Sequence, residues 1–201
     1  KIKQLLSNEV FSDKSDHLVV LPECCLYFGG KESSQLTLAK ENKHTGYLQQ
    51  SLADIAKQFG IYLVAGSIPL LVTEGSHAGE KFTNTSCVFT PTGELIADYA
   101  KLHLFDVDVD DNEKCYRESR YTQAGNKIQV AKIPFANVGL TVCYDLRFPE
   151  LFRQLTVQGA DIISVPSAFT RVTGKAHWQS LLQARAIENQ LDVVHLPFVH
   201  A

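Results

Sequence analysis

The stretch "VGLTVCYDLRFPE", residues 138–150, is an apolar run that ends at a cysteine and then changes at once to polar residues. An aspartate and an arginine follow Cys143 within four positions, and Pro149 comes next. A free cysteine is most often a small hydrophobic residue of the core. A nucleophilic role for this thiol therefore needs support from other parts of the chain.

The composition predicts one globular domain. The 201 residues are 45% hydrophobic and 20% charged, which is enough for one sizeable core. The formal net charge is -3 and no Lys/Arg run stands out, which argues against nucleic acid or a membrane surface as a partner. No apolar stretch approaches the roughly 18 residues that span a bilayer. Because no linker or repeat interrupts the chain, we expect residues 1–201 to form a single domain.

The cysteine pattern is typical of a reducing compartment, so we expect a cytoplasmic protein. There is no C-x-x-C pair and no H-E-x-x-H element, and we expect neither a metal nor another cofactor. The tripeptide "NTS" at 84–86 matches a glycosylation acceptor, but we interpret it as a chance match. The five cysteines, an odd number without regular spacing, are Cys24, Cys25, Cys87, Cys115 and Cys143.

Short apolar runs alternate with amphipathic stretches, which predicts an α/β protein whose sheets are covered by helices. Two expected hairpins, around "PTGE" and around residues 136–137, argue against an all-parallel sheet. A further helix is expected to open at Pro149, which is favoured in a first helical turn. We expect strands at 17–23, 61–70, 161–169 and 192–199, and helices at 44–59 and 177–190, with Gly60 as a C-cap.

Three polar residues share one unusual position, because each lies at or near the end of an apolar strand. They are Glu23, Lys101 and Cys143. Strand ends of α/β sheets are where catalytic groups collect, although each residue alone has an ordinary structural explanation. Together they suit covalent amide hydrolysis. A carboxylate can take the proton of a thiol, and an ammonium can stabilise the oxyanion that forms when the thiolate attacks a carbonyl.

Several motifs carry a resemblance to a known family. "LPECC" (21–25), "YAKLHLFDVDV" (99–109), "YRES" (116–119), "GLTVCYDLRFPEL" (139–151) and "PSAFTRVTGKAHWQSLLQARAIENQ" (166–190) resemble the nitrilase superfamily of carbon–nitrogen hydrolases. They come in the order found in that family and extend over residues 17–190. The resemblance implies an α-β-β-α sandwich that forms homodimers through its helices, or higher homo-oligomers, and that acts on a small-molecule amide.

The resemblance also assigns roles to individual residues. Glu23 would be the general base, Lys101 the oxyanion stabiliser and Cys143 the nucleophile. Glu118 matches a second glutamate that holds Lys101 and the substrate. The backbone N–H of Tyr144 would complete the oxyanion hole.

Further residues are expected to support this site. Asp145 and Arg147 would shape the turn that presents Cys143, and Arg147 could instead bind a substrate carboxylate. On the helix 177–190, Arg185 is expected to pair with Glu188 as structural support. His177 is expected to start that helix. Residues expected to line the pocket are Ser167, Ala168 and Phe169.

Within the superfamily, "HLFDVDV", "CYDLRFPEL" and "TGKAHW" look most like the omega-amidases and deaminated-glutathione amidases. These enzymes cleave a terminal amide of a small carboxylate and release ammonia through an acyl-thioester. Hydrolysis of N-carbamoyl amino acids or of nitriles is an alternative. A Cys–His dyad using His103 or His177 is another, and an inactive amidase-like scaffold that acts as a binding module is a third.

The chain departs from the family pattern at both ends. The first core strand of the family is not recognisable before "IKQLLSNEV", and "HLPFVHA" does not resemble the segment that follows the last family helix. We therefore expect a sandwich that is incomplete at both ends.

Overall fold

The computed structural model describes residues 1–9, 17–29, 32–108 and 116–199. Cys115 lies outside these ranges. The helices are α1 (Ile2–Ser7), α2 (Glu32–Thr45), α3 (Tyr47–Phe59), α4 (Pro149–Val157) and α5 (Arg171–Asn189). The strands are β1 (Leu18–Val20), β2 (Tyr62–Leu71), β3 (Phe82–Phe89), β4 (Leu95–Ala100), β5 (Asp106–Val107), β6 (Tyr116–Arg117), β7 (Val130–Ile133), β8 (Ala136–Leu140), β9 (Ile162–Phe169) and β10 (Asp192–Val199). Two short 3₁₀ helices cover Glu118–Arg120 and Cys143–Arg147.

The described strands form two four-stranded mixed sheets and one small hairpin. The first sheet has the order β1-β2-β3-β4, in which β1 and β2 are parallel and the other pairs antiparallel. The second has the order β10-β9-β8-β7, in which only β7 and β8 are antiparallel. Strands β5 and β6 pair separately. Both four-stranded sheets contain parallel and antiparallel pairs, which confirms the prediction that the sheets are not all-parallel.

Alternating side chains of the first sheet enter two different hydrophobic clusters. Leu63 and Phe89 belong to a cluster with the apolar face of α3. Val64, the neighbour of Leu63, belongs to a cluster that also contains Leu140 of the second sheet and Leu155 of α4. Because successive strand residues point to opposite faces, the first sheet lies between α3 and the second sheet. This arrangement confirms the predicted α-β-β-α sandwich.

The helix expected at 44–59 is shorter than predicted. Helix α3 starts at Tyr47 and ends before Gly60, whose φ of 61° is the left-handed cap that the sequence suggested. Residues 44 and 45 belong instead to α2, and Gly46, with a φ of 62°, separates the two helices. Helix α2 was not predicted because its mostly polar sequence, "ESSQLTLAKENKHT", shows no clear apolar stripe.

Other expected boundaries also differ. The strand expected at 17–23 covers only Leu18–Val20. Ile133 pairs with Ala136, so the turn between β7 and β8 lies at residues 134–135 instead of 136–137. Helix α5 starts at Arg171, earlier than the predicted residue 177, because Thr170 accepts a capping hydrogen bond from the N–H of Thr173. The prediction that His177 starts this helix was therefore wrong.

The predicted ion pair between Arg185 and Glu188 forms on α5, with an N–O distance of 2.8 Å. Arg185 also donates from Nε to the carbonyl oxygen of Leu146 at 3.0 Å and lies over the ring of Phe152. These contacts satisfy a guanidinium that is only 5% exposed. They fasten the 3₁₀ turn after Cys143 to the last described helix.

None of the helices found in the described ranges combines the length and the apolar character that a membrane crossing requires.

Two substitutions on α4 test the packing of the second sheet. Leu155 is fully buried, so Leu155→Ala should lower the free energy of unfolding by about 2–5 kcal/mol. Val157, which is 81% exposed, is the matched control. Val157→Ala should change the free energy of unfolding by less than about 0.5 kcal/mol. Urea denaturation measures both values. Equal losses for the two variants would contradict the assignment of the buried face of α4.

Candidate active site

A cavity of about 230 Å³ lies where loops that follow strands of both sheets meet. Glu23 follows β1, Lys101 follows β4, and Cys143 lies shortly after β8. All three side chains line this cavity, and Glu118 lines it too. The structure therefore brings together the four residues to which the motifs assigned catalytic roles.

The loop that carries Glu23 lies directly on strand β2. The pairing of β2 with β3 is irregular between Ala65 and Ile68, which is where Gly66 is located. A Cβ atom on Gly66 would lie 2.0 Å from the carbonyl oxygen of Leu21, so only glycine permits this close approach. The backbone that leads to Glu23 is thus held against the sheet.

Lys101 is held in a similar way at the end of β4. Its N–H donates to the carbonyl oxygen of Asn84, and its own carbonyl oxygen accepts from the N–H of Gly125, both at 2.9 Å. A Cβ atom on Gly125 would lie 2.2 Å from the carbonyl oxygen of Ala100. A second close backbone contact at a glycine therefore fixes the residue before Lys101.

The ammonium of Lys101 is only 2% exposed and contacts two carboxylates. Its Nζ donates to Oε2 of Glu118 at 2.8 Å and to Oε1 of Glu23 at 3.4 Å. Glu118 Oε2 also accepts from the N–H of Phe105 at 2.7 Å. Burial opposes the charge, but the Glu118 and Glu23 carboxylates outweigh it and raise the pKa of Lys101 well above its usual range. Lys101 is therefore a permanently charged group in the cavity wall.

Asn84 is a member of this network that the sequence analysis did not identify. Its Nδ2 donates to Oε1 of Glu23 at 2.9 Å and to Oε1 of Glu118 at 3.3 Å. Its side chain lines the cavity, and the residue is only 7% exposed. The one signal in the sequence is a polar side chain within an expected strand.

Cys143 starts the 3₁₀ turn with a φ of 51°, an uncommon conformation for a residue other than glycine. The carboxylate of Asp145 stabilises this turn from inside. Its Oδ2 accepts from the N–H of Val142 at 2.9 Å and from the hydroxyl of Tyr99 at 2.8 Å. Its Oδ1 accepts from the backbone N–H of His103 at 3.1 Å and contacts Nδ1 of that ring at 2.7 Å. Asp145 shapes the turn as expected, and it also ties the turn to the loop that carries Lys101.

The thiol of Cys143 interacts with both charged neighbours. Burial raises its pKa well above the usual range, and the Glu23 carboxylate raises it further. The Lys101 ammonium and a hydrogen bond from the backbone N–H of Ala168 act in the opposite direction. Because burial prevails, the resting group is a thiol, and a thiolate forms only if a neighbouring base takes the proton.

Four of the five other predicted site residues line the cavity, namely Tyr144, Arg147, Ala168 and Phe169. Ser167 does not. Its hydroxyl is fully buried and donates to the carbonyl oxygen of Val165 at 3.2 Å. The expectation that Ser167 lines the pocket was therefore wrong, because its hydroxyl hydrogen-bonds to the backbone of its own strand.

Arg147 brings a positive charge to the wall of the cavity. Its guanidinium lies 5.7 Å from the ring centroid of Tyr144 and 5.8 Å from that of Phe169. Nη2 is 3.3 Å from Nδ1 of His177. Among the residues that the structure describes, no carboxylate forms an ion pair with Arg147.

The histidines are not placed for a Cys–His dyad. His103 stacks on Phe148 and contacts Asp145, and His177 contacts Arg147. Neither imidazole lines the cavity that contains Cys143. Within the described ranges, no group of three or more His, Cys, Asp and Glu residues could hold a metal ion.

Comparisons with known proteins agree with this fold, an α-β-β-α sandwich with a cysteine in the turn after β8. The family model "Carbon-nitrogen hydrolase" matches residues 4–194, so the chain belongs to the carbon–nitrogen hydrolase family. The motif-based recognition of the nitrilase superfamily is thereby confirmed.

Two of the relatives that this chain resembles are amidases by name. A deaminated glutathione amidase of Yersinia enterocolitica is 47% identical over 177 residues, which cover 88% of this chain and 60% of that protein. Omega-amidase NIT2 of Homo sapiens is 38% identical over 176 residues, with coverages of 88% and 60%. The chain thus spans about 60% of the length of these two curated relatives.

Solved structures support the fold. The Caenorhabditis elegans NitFhit protein matches 98% of this chain and 46% of its own, with a TM-score of 0.81 and 34% identity. An amidase from Nesterenkonia sp. AN1, in which acrylamide has added to the active-site cysteine, matches 98% of this chain and 70% of its own. Its TM-score is 0.75 and its identity is 26%.

Gly66 offers a test of how Glu23 is positioned. A methyl group there would overlap the carbonyl oxygen of Leu21, so Gly66→Ala should lower the free energy of unfolding by about 1–3 kcal/mol through overpacking. Gly174 is the matched control. A Cβ there would lie 3.5 Å from Phe169 Cβ, and Gly174→Ala inside α5 should be neutral or stabilising by up to about 1 kcal/mol. Equal stability of the two variants in urea denaturation would refute the close approach.

Proposed function

We propose that the protein is a thiol-dependent amidohydrolase that cleaves the terminal amide of a small carboxylate-bearing substrate and releases ammonia. The observation that carries this proposal is the meeting of Glu23, Lys101 and Cys143 in one cavity. They supply a base, a fixed cation and a nucleophile for acyl transfer. The two curated relatives described above are named as amidases, which supports the same reaction class.

In the first half-reaction, Glu23 takes the proton of the Cys143 thiol and the sulfur attacks the amide carbon. The carbonyl oxygen becomes an oxyanion, which the Lys101 ammonium and the backbone N–H of Tyr144 stabilise. The carbon–nitrogen bond then breaks. Glu23 returns its proton to the departing nitrogen, so that ammonia leaves and an acyl-thioester remains on Cys143.

In the second half-reaction, Glu23 takes a proton from a water molecule, whose oxygen attacks the thioester carbon. The same two donors stabilise the second oxyanion. When the carbon–sulfur bond breaks, the sulfur regains a proton from Glu23 and the carboxylic acid leaves. Glu118 holds the Lys101 ammonium in place throughout, through the 2.8 Å contact.

Arg147 supports a substrate that bears a carboxylate. It is a cation in the cavity wall, and none of the described carboxylates neutralises it. A guanidinium binds a carboxylate through paired, charge-assisted hydrogen bonds. We assign Arg147 to the end of the substrate opposite the scissile amide, with Ala168 and Phe169 lining the space between.

We further propose that residues 1–201 are a single carbon–nitrogen hydrolase domain that acts in the cytoplasm as a homodimer. The family match over residues 4–194 supports the single domain.

The four described cysteines are free thiols, in keeping with a reducing compartment. On α5, Val172 is 53% and Ile187 76% exposed, as expected of a helix that packs against a second copy.

Replacement of the nucleophile tests the reaction. The protein should release ammonia from small omega-amides, and Cys143→Ala should lower the rate by at least about 10⁴-fold. Cys87→Ala is the matched control, because Cys87 is a buried thiol packed with the apolar face of α3 and should be dispensable for turnover. Ammonia release that survives Cys143→Ala would reject the thiol mechanism. Turnover of only nitriles or N-carbamoyl amino acids would keep the nucleophile but reject the amide substrate.

Arg147→Gln tests the substrate carboxylate. Loss of a charge-assisted hydrogen bond should lower kcat/KM for an omega-amide with a carboxylate by about 10- to 100-fold. A neutral amide of the same length is the comparison substrate, and its kcat/KM should change much less. Equal losses for both substrates would show that Arg147 does not bind the carboxylate.

A further inference from the structure

We infer that Asn84 is a positioning residue that determines which oxygen of Glu23 accepts the thiol proton. This inference rests on the proposed function, in which Glu23 is the base and Cys143 the nucleophile. Asn84 is buried in β3 and its Nδ2 contacts both carboxylates of the site. It acts through Glu23, and we assign it no contact with the reacting atoms.

The two donors are divided unequally between the two carboxylates. Lys101 Nζ lies 2.8 Å from Glu118 but 3.4 Å from Glu23. Asn84 Nδ2 shows the opposite preference, with 2.9 Å to Glu23 and 3.3 Å to Glu118. The shorter hydrogen bond of Glu23 therefore comes from a neutral amide, whereas Glu118 receives the shorter bond of the ammonium.

A neutral donor suits a group that must gain and lose a proton. A cation in close contact would favour the ionised carboxylate and oppose protonation, whereas an amide N–H can donate to both forms. The nearby ammonium of Lys101 is held mainly by Glu118. This division gives Glu23 a close neutral donor and gives Glu118 the close cation.

The geometry also selects the oxygen. Both donors of Glu23 meet the same atom, Oε1. A proton on Oε1 would point at two N–H donors, so Oε2 is the oxygen that receives it. The S–H bond of Cys143 breaks, an O–H bond forms at Oε2, and the electron pair stays on sulfur for attack on the amide carbon. The hydrogen bond from Asn84 to Oε1 is preserved throughout.

The charged and titratable groups around Asn84 come from several elements. Glu23 comes from the loop after β1 and Lys101 from the loop after β4, while Glu118 starts a 3₁₀ turn. The same cavity is also lined by Cys24, Tyr116, Tyr121, Cys143, Tyr144 and Arg147. Removal of the Asn84 donor should free Oε1 and let the Glu23 carboxylate rotate, so that Oε2 is no longer held ready for the thiol proton.

The first experiment measures turnover of an omega-amide by Asn84→Ala. We expect kcat to fall about 10- to 100-fold, the size of a hydrogen bond to a charged group, with little change in KM. Asn42→Ala is the matched control, since Asn42 is a buried asparagine that caps α3 through the N–H of Leu48. It should lower stability but leave kcat and the pH profile unchanged.

The second experiment does not depend on turnover. Alkylation of Cys143 by iodoacetamide, followed by peptide mass spectrometry, reports how readily the thiolate forms. Asn84→Ala should slow this alkylation and shift its pH dependence, while Asn42→Ala should not. If the unmodified protein hydrolyses no amide but this difference persists, the proposed function fails and the role of Asn84 stands. Wild-type alkylation rates and pH dependence in Asn84→Ala would overturn the inference, even if turnover of the unmodified protein is confirmed.

Asn84→Asp keeps the shape of the side chain and is the variant to use if Asn84→Ala does not fold. It replaces the donor by a third carboxylate, so alkylation of Cys143 at neutral pH should be slower than in the unmodified protein. The deficit should narrow as the pH falls, because the protonated carboxyl can again donate to Glu23. A deficit that is constant with pH would indicate a structural defect and would reject the positioning role.

Discussion

The buried ammonium of Lys101 is the constraint on which the site depends. A cation that is only 2% exposed is tolerated only when carboxylates or other acceptors surround it. Two carboxylates meet this requirement at the end of β4. Glu118 comes from the turn after β6, and Glu23 comes from the loop after β1. Two carboxylates so close together repel each other, and Asn84 relieves this by donating to both. The arrangement of the cavity wall thus follows from the neutralisation of one charge.

A second buried group couples the nucleophile to this cation. The carboxylate of Asp145 binds the turn after Cys143 through the N–H of Val142, and binds the loop after Lys101 through the backbone and ring of His103. One side chain therefore joins the end of a strand in the second sheet to the end of a strand in the first. Because both loops share this acceptor, the turn that starts at Cys143 and the loop after Lys101 are held against each other.

The sequence alone could predict those site residues that lie in short, recognisable motifs. Glu23, Lys101, Glu118 and Cys143 lie in short motifs, and the structure brings all four into one cavity, while the period of apolar residues predicted α3, β2 and β9. Asn84, Gly66 and Gly125 could not be found in this way, because their roles arise only where distant segments meet. Helix α2 could not be predicted because its sequence has no clear apolar stripe. Ser167 was wrongly assigned to the pocket because the alternation of side chains along a strand does not show which group a hydroxyl will hydrogen-bond to.

The position of the cavity between the two sheets has a kinetic consequence. Glu23, Lys101 and Cys143 belong to segments far apart in the sequence, and none of the β-hairpins in the described ranges contains two of them. Contacts between remote segments form slowly, because loop-closure entropy must be overcome before they stabilise the chain. The cavity that joins Glu23, Lys101 and Cys143 can therefore form only once the two sheets are in contact. A chain whose sheets had not yet met would keep the Cys143 thiol apart from the Glu23 carboxylate, so this cavity should be among the last features to form as the chain folds.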